Sequence, residues 1–126
     1  MNFFCYFWII RIKNQLFLFP LLTALFSFCR NAAAPTRNFL HSVASRAANQ
    51  IAKYRGTHYT VGTSSNILYE ASGGLDDFAY GNLGIPMSFT LELPGDNFQV
   101  ASSDIINVCK ETFAGFVEFI RHVSLY

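Results

Sequence analysis

The acidic residues of this chain are confined to its later part. All eight fall at Glu70 or beyond, whereas half of the fourteen phenylalanines precede Arg30. An acid-free, apolar leader is thus joined to a stretch of ordinary composition, and the two need separate readings. Phe3 to Ile10 is one apolar run, and Arg11 and Lys13 interrupt it. Leu16 to Cys29 is a second, closed by Arg30. Neither reaches the roughly 18–20 apolar residues that span a bilayer. Fusing them would place Arg11 and Lys13 in hydrocarbon, at considerable cost. The second run has basic residues before it and Asn31-Ala32-Ala33-Ala34 after it, the layout of a secretory signal, although Pro35 hinders cleavage directly after Ala34. Residues 1–33 therefore read as a signal-like segment, an apolar anchor helix, or a misjoined leader foreign to the rest of the chain.

With 126 residues there is room for one small domain. A hydrophobic share of 52% excludes a disordered chain. A formal charge of +1 gives no reason to expect nucleic acid as a partner, and a membrane enters only if the leader is an uncleaved anchor. Cys5, Cys29 and Cys109 are far apart and form no C-x-x-C pair, which excludes a zinc ribbon or a thioredoxin-type site. Cys109 reads as a small buried thiol.

Beyond Ala34 the pattern alternates between helix and strand. Thr36 is placed to cap a helix in which Leu40, Val43, Ala44, Ala47, Ile51 and Tyr54 recur at spacings of three and four, with Gly56 as its stop. Thr57 to Thr63 reads as a short strand, Ser64 to Gly74 as loop and Leu75 to Tyr80 as a helical turn. Met87 to Leu93 is the clearest strand: Met87, Phe89, Leu91 and Leu93 alternate with Ser88, Thr90 and Glu92. Ser102 or Ser103 is placed to cap a last helix whose apolar stripe reads Ile105, Cys109, Phe113, Phe116, Ile120 and Val123. This order is that of an α/β protein with helices packed on a sheet. Two strands are few for such a sheet, so the stretch looks like a piece of a larger domain.

Several residues invite a chemical reading. Glu92 ends an otherwise apolar strand, where open α/β sheets place active sites and where a partly desolvated carboxylate serves as general base. The plainer alternative is an exposed glutamate on a solvent face. Asp76-Asp77 comes after a glycine pair, which suits either a pocket for a cation or capping of a helix start. Tyr69 is a polar-tipped loop aromatic, placed to swing over a ligand or simply to anchor its loop. His41, His58 and His122 form no H-x-x-E or H-E-x-x-H pattern, and no G-x-S-x-G or phosphate-binding glycine loop is present.

Two segments carry a specific resemblance. One is Ile67-Leu68-Tyr69-Glu70-Ala71-Ser72-Gly73-Gly74-Leu75-Asp76-Asp77-Phe78-Ala79-Tyr80, and the other is Gly84-Ile85-Pro86-Met87-Ser88-Phe89-Thr90-Leu91-Glu92-Leu93. Together they resemble the zinc metallocarboxypeptidases of the carboxypeptidase A/B type. That family has a Tyr-x-Ala-Ser-Gly-Gly loop, an aspartate, an aromatic and a tyrosine, then a Ser-Phe-Thr-x-Glu-Leu strand. The order is kept, with a small insertion around Asn82-Leu83, and the resemblance runs from about Ala34 to Val123. It implies an α/β fold, the C-terminal portion of a mixed-sheet zinc-carboxypeptidase domain, over residues 34–126 behind a leader of residues 1–33. By the same resemblance Glu92 matches the catalytic glutamate that moves protons between water and the leaving amine. Tyr69 matches the mobile tyrosine that binds the substrate's terminal carboxylate. Asp76 matches the base of the specificity pocket, where an aspartate implies C-terminal Lys or Arg, and Leu75 departs from the small residue usual beside it.

The departures are as informative. The family's zinc is held by a His-x-x-Glu pair and a second histidine, all upstream of the matching region, and none of those motifs occurs here. His41-Ser42 is superficially similar to the second zinc histidine, but it lies inside the first helix and too near Tyr69. A catalytic zinc needs three protein ligands and an open position. The expectation is therefore a secreted carboxypeptidase fragment that keeps Glu92, Tyr69 and Asp76, offers no metal ligand of its own and is inactive as written. Zinc belongs to the complete domain, and peptide or protein C-termini are its substrates. The alternative is a non-catalytic, secreted or membrane-associated peptide-binding protein.

Overall fold

A computed structural model of the chain describes residues 24–28, 34–70, 72–85, 87–94 and 100–123. Strand β1, Ala24–Phe28, comes first and helix α1, Ala34–Arg55, is next. Pro35 stands in the first turn of α1, where a missing N–H costs nothing, so the helix begins ahead of Thr36. Leu40, Val43, Ala44, Ala47 and Ile51 are buried as their spacing requires, while Tyr54 of the same stripe is exposed at the helix end. Gly56, at φ +80°, ends α1 and donates its N–H to the Ala52 carbonyl at 2.7 Å. Strand β2, Tyr59–Thr63, leads into a single helical turn, α2, Ser64–Ile67, where the sequence pattern implies plain loop. Then come helix α3, Leu75–Gly81, strand β3, Phe89–Glu92, and helix α4, Ile105–Val123.

The sheet has three strands in the order β2-β1-β3, and its middle strand comes from the leader. Strand β1 runs parallel to β2, with Ala24 opposite Tyr59 and Phe28 opposite Thr63. It runs antiparallel to β3, with Leu25 opposite Glu92 and Phe28 opposite Phe89. Residues 24–28, part of the apolar run read as signal-like or helical, are strand in this structure. The physical reason is hydrogen bonding: a short apolar run supplies a buried strand as readily as a helix, and only its neighbours choose. Residues 1–23 and 29–33 lie outside the described residues. Among the described residues no helix is long and apolar enough to cross a membrane.

Helices α1 and α4 pack together on one face of the sheet. Leu91 of β3 is buried among Val43, Ala44 and Ala47 of α1 and Phe119 of α4. Phe89 and Phe119 meet edge to face, centroids 5.0 Å apart at 88°, a favoured aromatic geometry. The face of α4 turned inward is only partly the expected one: Phe116 of the anticipated stripe packs against the core. Val108, Thr112, Gly115 and Phe119 are buried, whereas Ile105, Phe113 and Ile120 of the anticipated stripe are exposed, and so is Cys109, a free thiol rather than a buried one. Two features select this face. Gly115 sits where α1 crosses so closely that a Cβ would stand 2.7 Å and 2.8 Å from Ile51 side-chain carbons and 3.3 Å from the Ala47 carbonyl. Glu111, fully buried, meets the C-terminal end of α1: Arg55 Nε lies 3.1 Å from its Oε2 and the Thr57 hydroxyl donates to the same oxygen at 2.8 Å. Arg55 also donates twice to Asp104, at 2.5 Å and 2.8 Å, and holds that carboxyl down at about 2.

Gly115→Ala is expected to cost about 1–3 kcal/mol, because Ile51 is fully enclosed and has no room to yield. Urea denaturation measures this, and pairing the change with Ile51→Val should recover part of the loss.

Candidate active site

Alternation along β3 separates two surfaces. Leu91 turns toward the helices, so Thr90 and Glu92 belong to the opposite face of the sheet. On that face Gly62 of β2 leaves room for Ile67 of α2, whose Cγ2 would lie 2.7 Å from a Cβ at Gly62. The α2 turn therefore lies on the side of the sheet that α1 and α4 leave uncovered, whereas Tyr80 of α3 packs with Met87 against Leu40 of α1. Between α3 and β3 an open cleft of about 300 Å³ is walled mostly by apolar side chains, among them Phe78, Ala79 and Ile85, with Ser88 and Thr90 on the strand side. Asp76 lines it as the acidic group.

Asp76 is 6% exposed, and the Ser64 hydroxyl donates to its Oδ2 at 2.7 Å. It is not the cap of α3: that position belongs to Gly74, which supplies no side chain. The two glycines before it have separate tasks. Gly73, at φ +79°, makes the left-handed turn that a side chain would strain. Gly74 makes space, since a Cβ there would stand 2.9 Å from Asp76 Oδ1. The Gly-Gly pair thus seats a carboxylate at the cleft wall. Asp76 and Asp77 both lie in the first turn of α3, on the favourable side of the helix dipole.

Glu92 comes after Thr90 on the same face, at the end of β3. It is half-buried, and that desolvation raises its carboxyl above the ordinary range near 4.5. Tyr69 is 66% exposed on the segment between α2 and α3, and Leu75 is an exposed wall residue of the cleft. The fold therefore brings Asp76 to the cleft, sets Glu92 one step along the strand that forms its wall, and leaves Tyr69 at the surface. Ser64 was not anticipated: it meets Asp76 across twelve positions of chain, and no local pattern announces such a contact. His41 lies in α1 and His58 in the segment before β2, and among the described residues no group of three or more His, Cys, Asp or Glu side chains stands together to hold a metal ion.

Comparison with known proteins decides the lineage. Residues 13–115 match the family described as zinc carboxypeptidase. The chain belongs to the zinc carboxypeptidase family. The match begins inside the leader and takes in β1, consistent with that strand's place in the sheet. Carboxypeptidase A2 of Mus musculus is 38% identical over 89 residues, which cover 68% of this chain and 21% of that protein. Carboxypeptidase B of Bos taurus is 35% identical over 121 residues, 93% of this chain and 26% of the relative. Among solved structures, bovine thrombin-activatable fibrinolysis inhibitor in complex with tick carboxypeptidase inhibitor superposes with a TM-score of 0.71 at 31% identity, over 81% of this chain and 36% of that one. Carboxypeptidase A from Helicoverpa armigera gives 0.68 at 27% identity, over 80% and 27%. The α/β arrangement is thus that of a carboxypeptidase fold, and the chain spans about a fifth to a quarter of the length of these two sequence relatives. Zinc belongs to the family's complete domain.

Two outcomes are expected for the cleft. Ser64→Ala removes the hydroxyl that meets a buried carboxylate, with an expected loss of about 1–3 kcal/mol in chemical denaturation. Glu92 holds its proton more firmly folded than unfolded, so its contribution to stability is complete below the ordinary range near 4.5 and is lost as pH rises through its higher folded value. Urea midpoints of the wild type should therefore fall relative to those of Glu92→Gln across that rise.

Proposed function

We propose that this chain is the substrate-facing, C-terminal portion of a secreted metallocarboxypeptidase that removes C-terminal residues, with a preference for Lys and Arg. The observation that supports it most is the joint position of Asp76 and β3: a carboxylate seated by two glycines in an apolar cleft, beside the strand that ends in Glu92. An apolar wall takes the methylene stem of a long basic side chain, and the buried carboxylate meets the cation at its end. Tyr69, exposed on its loop, has the freedom to close over the terminal carboxylate of a peptide held there. Glu92 accepts a proton from the attacking water and returns it to the departing amine. Its raised pKa suits both halves of that exchange, because a carboxyl nearer neutrality is a better acid without ceasing to be a base. The sequence carries no His-x-x-Glu pair, and the roles proposed for the chain's own residues are to bind peptide and move protons. The chain by itself is accordingly expected to be inactive.

A second reading keeps the same cleft and drops the chemistry: capture of peptides with basic C-termini by Asp76 and Tyr69. It is favoured by the sequence, which holds no His-x-x-Glu pair.

The test is a chimera in which this chain replaces the matched stretch of bovine carboxypeptidase B. Cleavage of peptides ending in Lys or Arg is expected, falling by about 10²–10⁴-fold in Glu92→Gln. Asp76→Asn should lower kcat/KM for those peptides and leave that for peptides ending in Phe or Leu less affected. A folded, zinc-loaded chimera that removes no C-terminal residue would exclude the catalytic reading. Metal analysis separates the two readings in the unaltered chain, where substoichiometric zinc is expected and one firmly held zinc per molecule would show that it builds the metal site itself.

A further inference from the structure

The Asp76 carboxylate at the cleft wall is engaged before any ligand arrives. Its Oδ2 accepts a hydrogen bond from the Ser64 hydroxyl at 2.7 Å. Its Oδ1 lies against Gly74, where a Cβ would stand 2.9 Å away. The residue is almost fully buried, so the group has little room to turn and present another edge.

The two basic side chains make different demands on a carboxylate held in this way. A guanidinium is bound best by two parallel N–H···O bonds, one to each oxygen. That fork needs an in-plane lone pair on both. An ammonium is a compact point charge with three donors. One carboxylate oxygen satisfies one of them, and the others turn to acceptors in different directions. Here Oδ2 is already serving Ser64. Ser88 and Thr90 line the same cleft and bring two hydroxyl acceptors to it. One carboxylate oxygen and two hydroxyls match the three donors of an ammonium. A guanidinium carries five donors, and the remaining lining, Phe78, Ala79 and Ile85 among it, has only apolar side chains to offer them. Polar hydrogens left without partners in such surroundings weaken binding.

We propose that Ser64 is a positioning residue that sets specificity: by holding Oδ2 of Asp76 it makes the cleft select a C-terminal Lys over a C-terminal Arg. This rests on the role proposed above for Asp76, as the group that meets a basic side chain, and it separates the two cations that Asp76 alone would treat alike. Ser64 acts through the carboxylate and does not itself touch the substrate.

The test uses the chimera with bovine carboxypeptidase B and peptides that differ only in a terminal Lys, Arg, Phe or Leu, at neutral pH, where both cations are charged. The kcat/KM for Lys is expected to exceed that for Arg by about tenfold. Ser64→Ala releases Oδ2 and should lower that ratio by about fivefold or more, chiefly through a lower KM for Arg. Ser64→Thr keeps the hydroxyl and should restore it. A serine with a merely structural task would lower both values together and leave the ratio alone. A ratio that Ser64→Ala does not change, or an unaltered chimera that cleaves Arg as well as Lys, overturns the proposal and leaves the basic-residue reading standing. A chimera that releases Phe or Leu but neither basic residue overturns that reading, and this proposal with it. Should Ser64→Ala fail to fold, calorimetric titration of the unaltered 126-residue chain with the same peptides is the second measurement. The peptide ending in Lys is expected to bind about tenfold more tightly than the one ending in Arg, and an equal or reversed order overturns the proposal.

Discussion

The buried carboxylate of Glu111 is the constraint around which this fold is arranged. A charge removed from water has to be paired and hydrogen-bonded. Arg55 and Thr57 meet that demand at Oε2, from the end of α1 and the approach to β2, while Glu111 itself belongs to α4. One side chain therefore ties three elements that are distant in sequence. Together with the close crossing at Gly115 it fixes which face of α4 turns inward. Once α1 and α4 are locked together, the apolar face of β3 has its cover, and the cleft opens between β3 and α3. Nearby, the Tyr59 hydroxyl is pushed up to about 12, chiefly by burial, so this corner keeps a neutral phenol beside a charged pair over the physiological range.

The arrangement of the cleft depends on that division of the sheet. Leu91 and Glu92 are neighbours in sequence and lie on opposite faces, one in the core and one beside the cleft. The carboxylates at 76 and 92 are reached by different routes. Asp76 is seated by a glycine pair and a serine hydroxyl, and Glu92 by the pleat of a strand. Their environments differ accordingly. Asp76 has a hydrogen-bond donor at 2.7 Å, whereas Glu92 is half-buried and desolvated, which moves its proton affinity upward. A binding group and a proton-transfer group ask for that difference.

Membership in the zinc carboxypeptidase family gives these features a shared frame. The chain represents only a part of its relatives' length, and the part it represents carries the loop, the cleft and the last strand. The middle strand, drawn from the apolar leader, shows that the leader is not a mere attachment. One of its apolar runs provides β1.

Local pattern by itself determined the long helices, the alternation of β3, the turn at α3 and the candidate carboxylates, because each rests on a short-range period or a motif of adjacent residues. The Tyr69-to-Asp76 loop and the Ser88-to-Leu93 strand were legible for the same reason. Tertiary structure alone decided the rest. Whether residues 24–28 would be strand was settled by hydrogen-bonding partners far along the chain. The stripe from Ile105 to Ile120 announced an apolar helix face but not what it would meet, and the inward face was chosen by a salt bridge and by a glycine's missing side chain. Ser64 found Asp76 only when α2 folded back over the sheet. Periodicity reports what a residue requires, whereas burial against a particular neighbour is a property of the assembled chain.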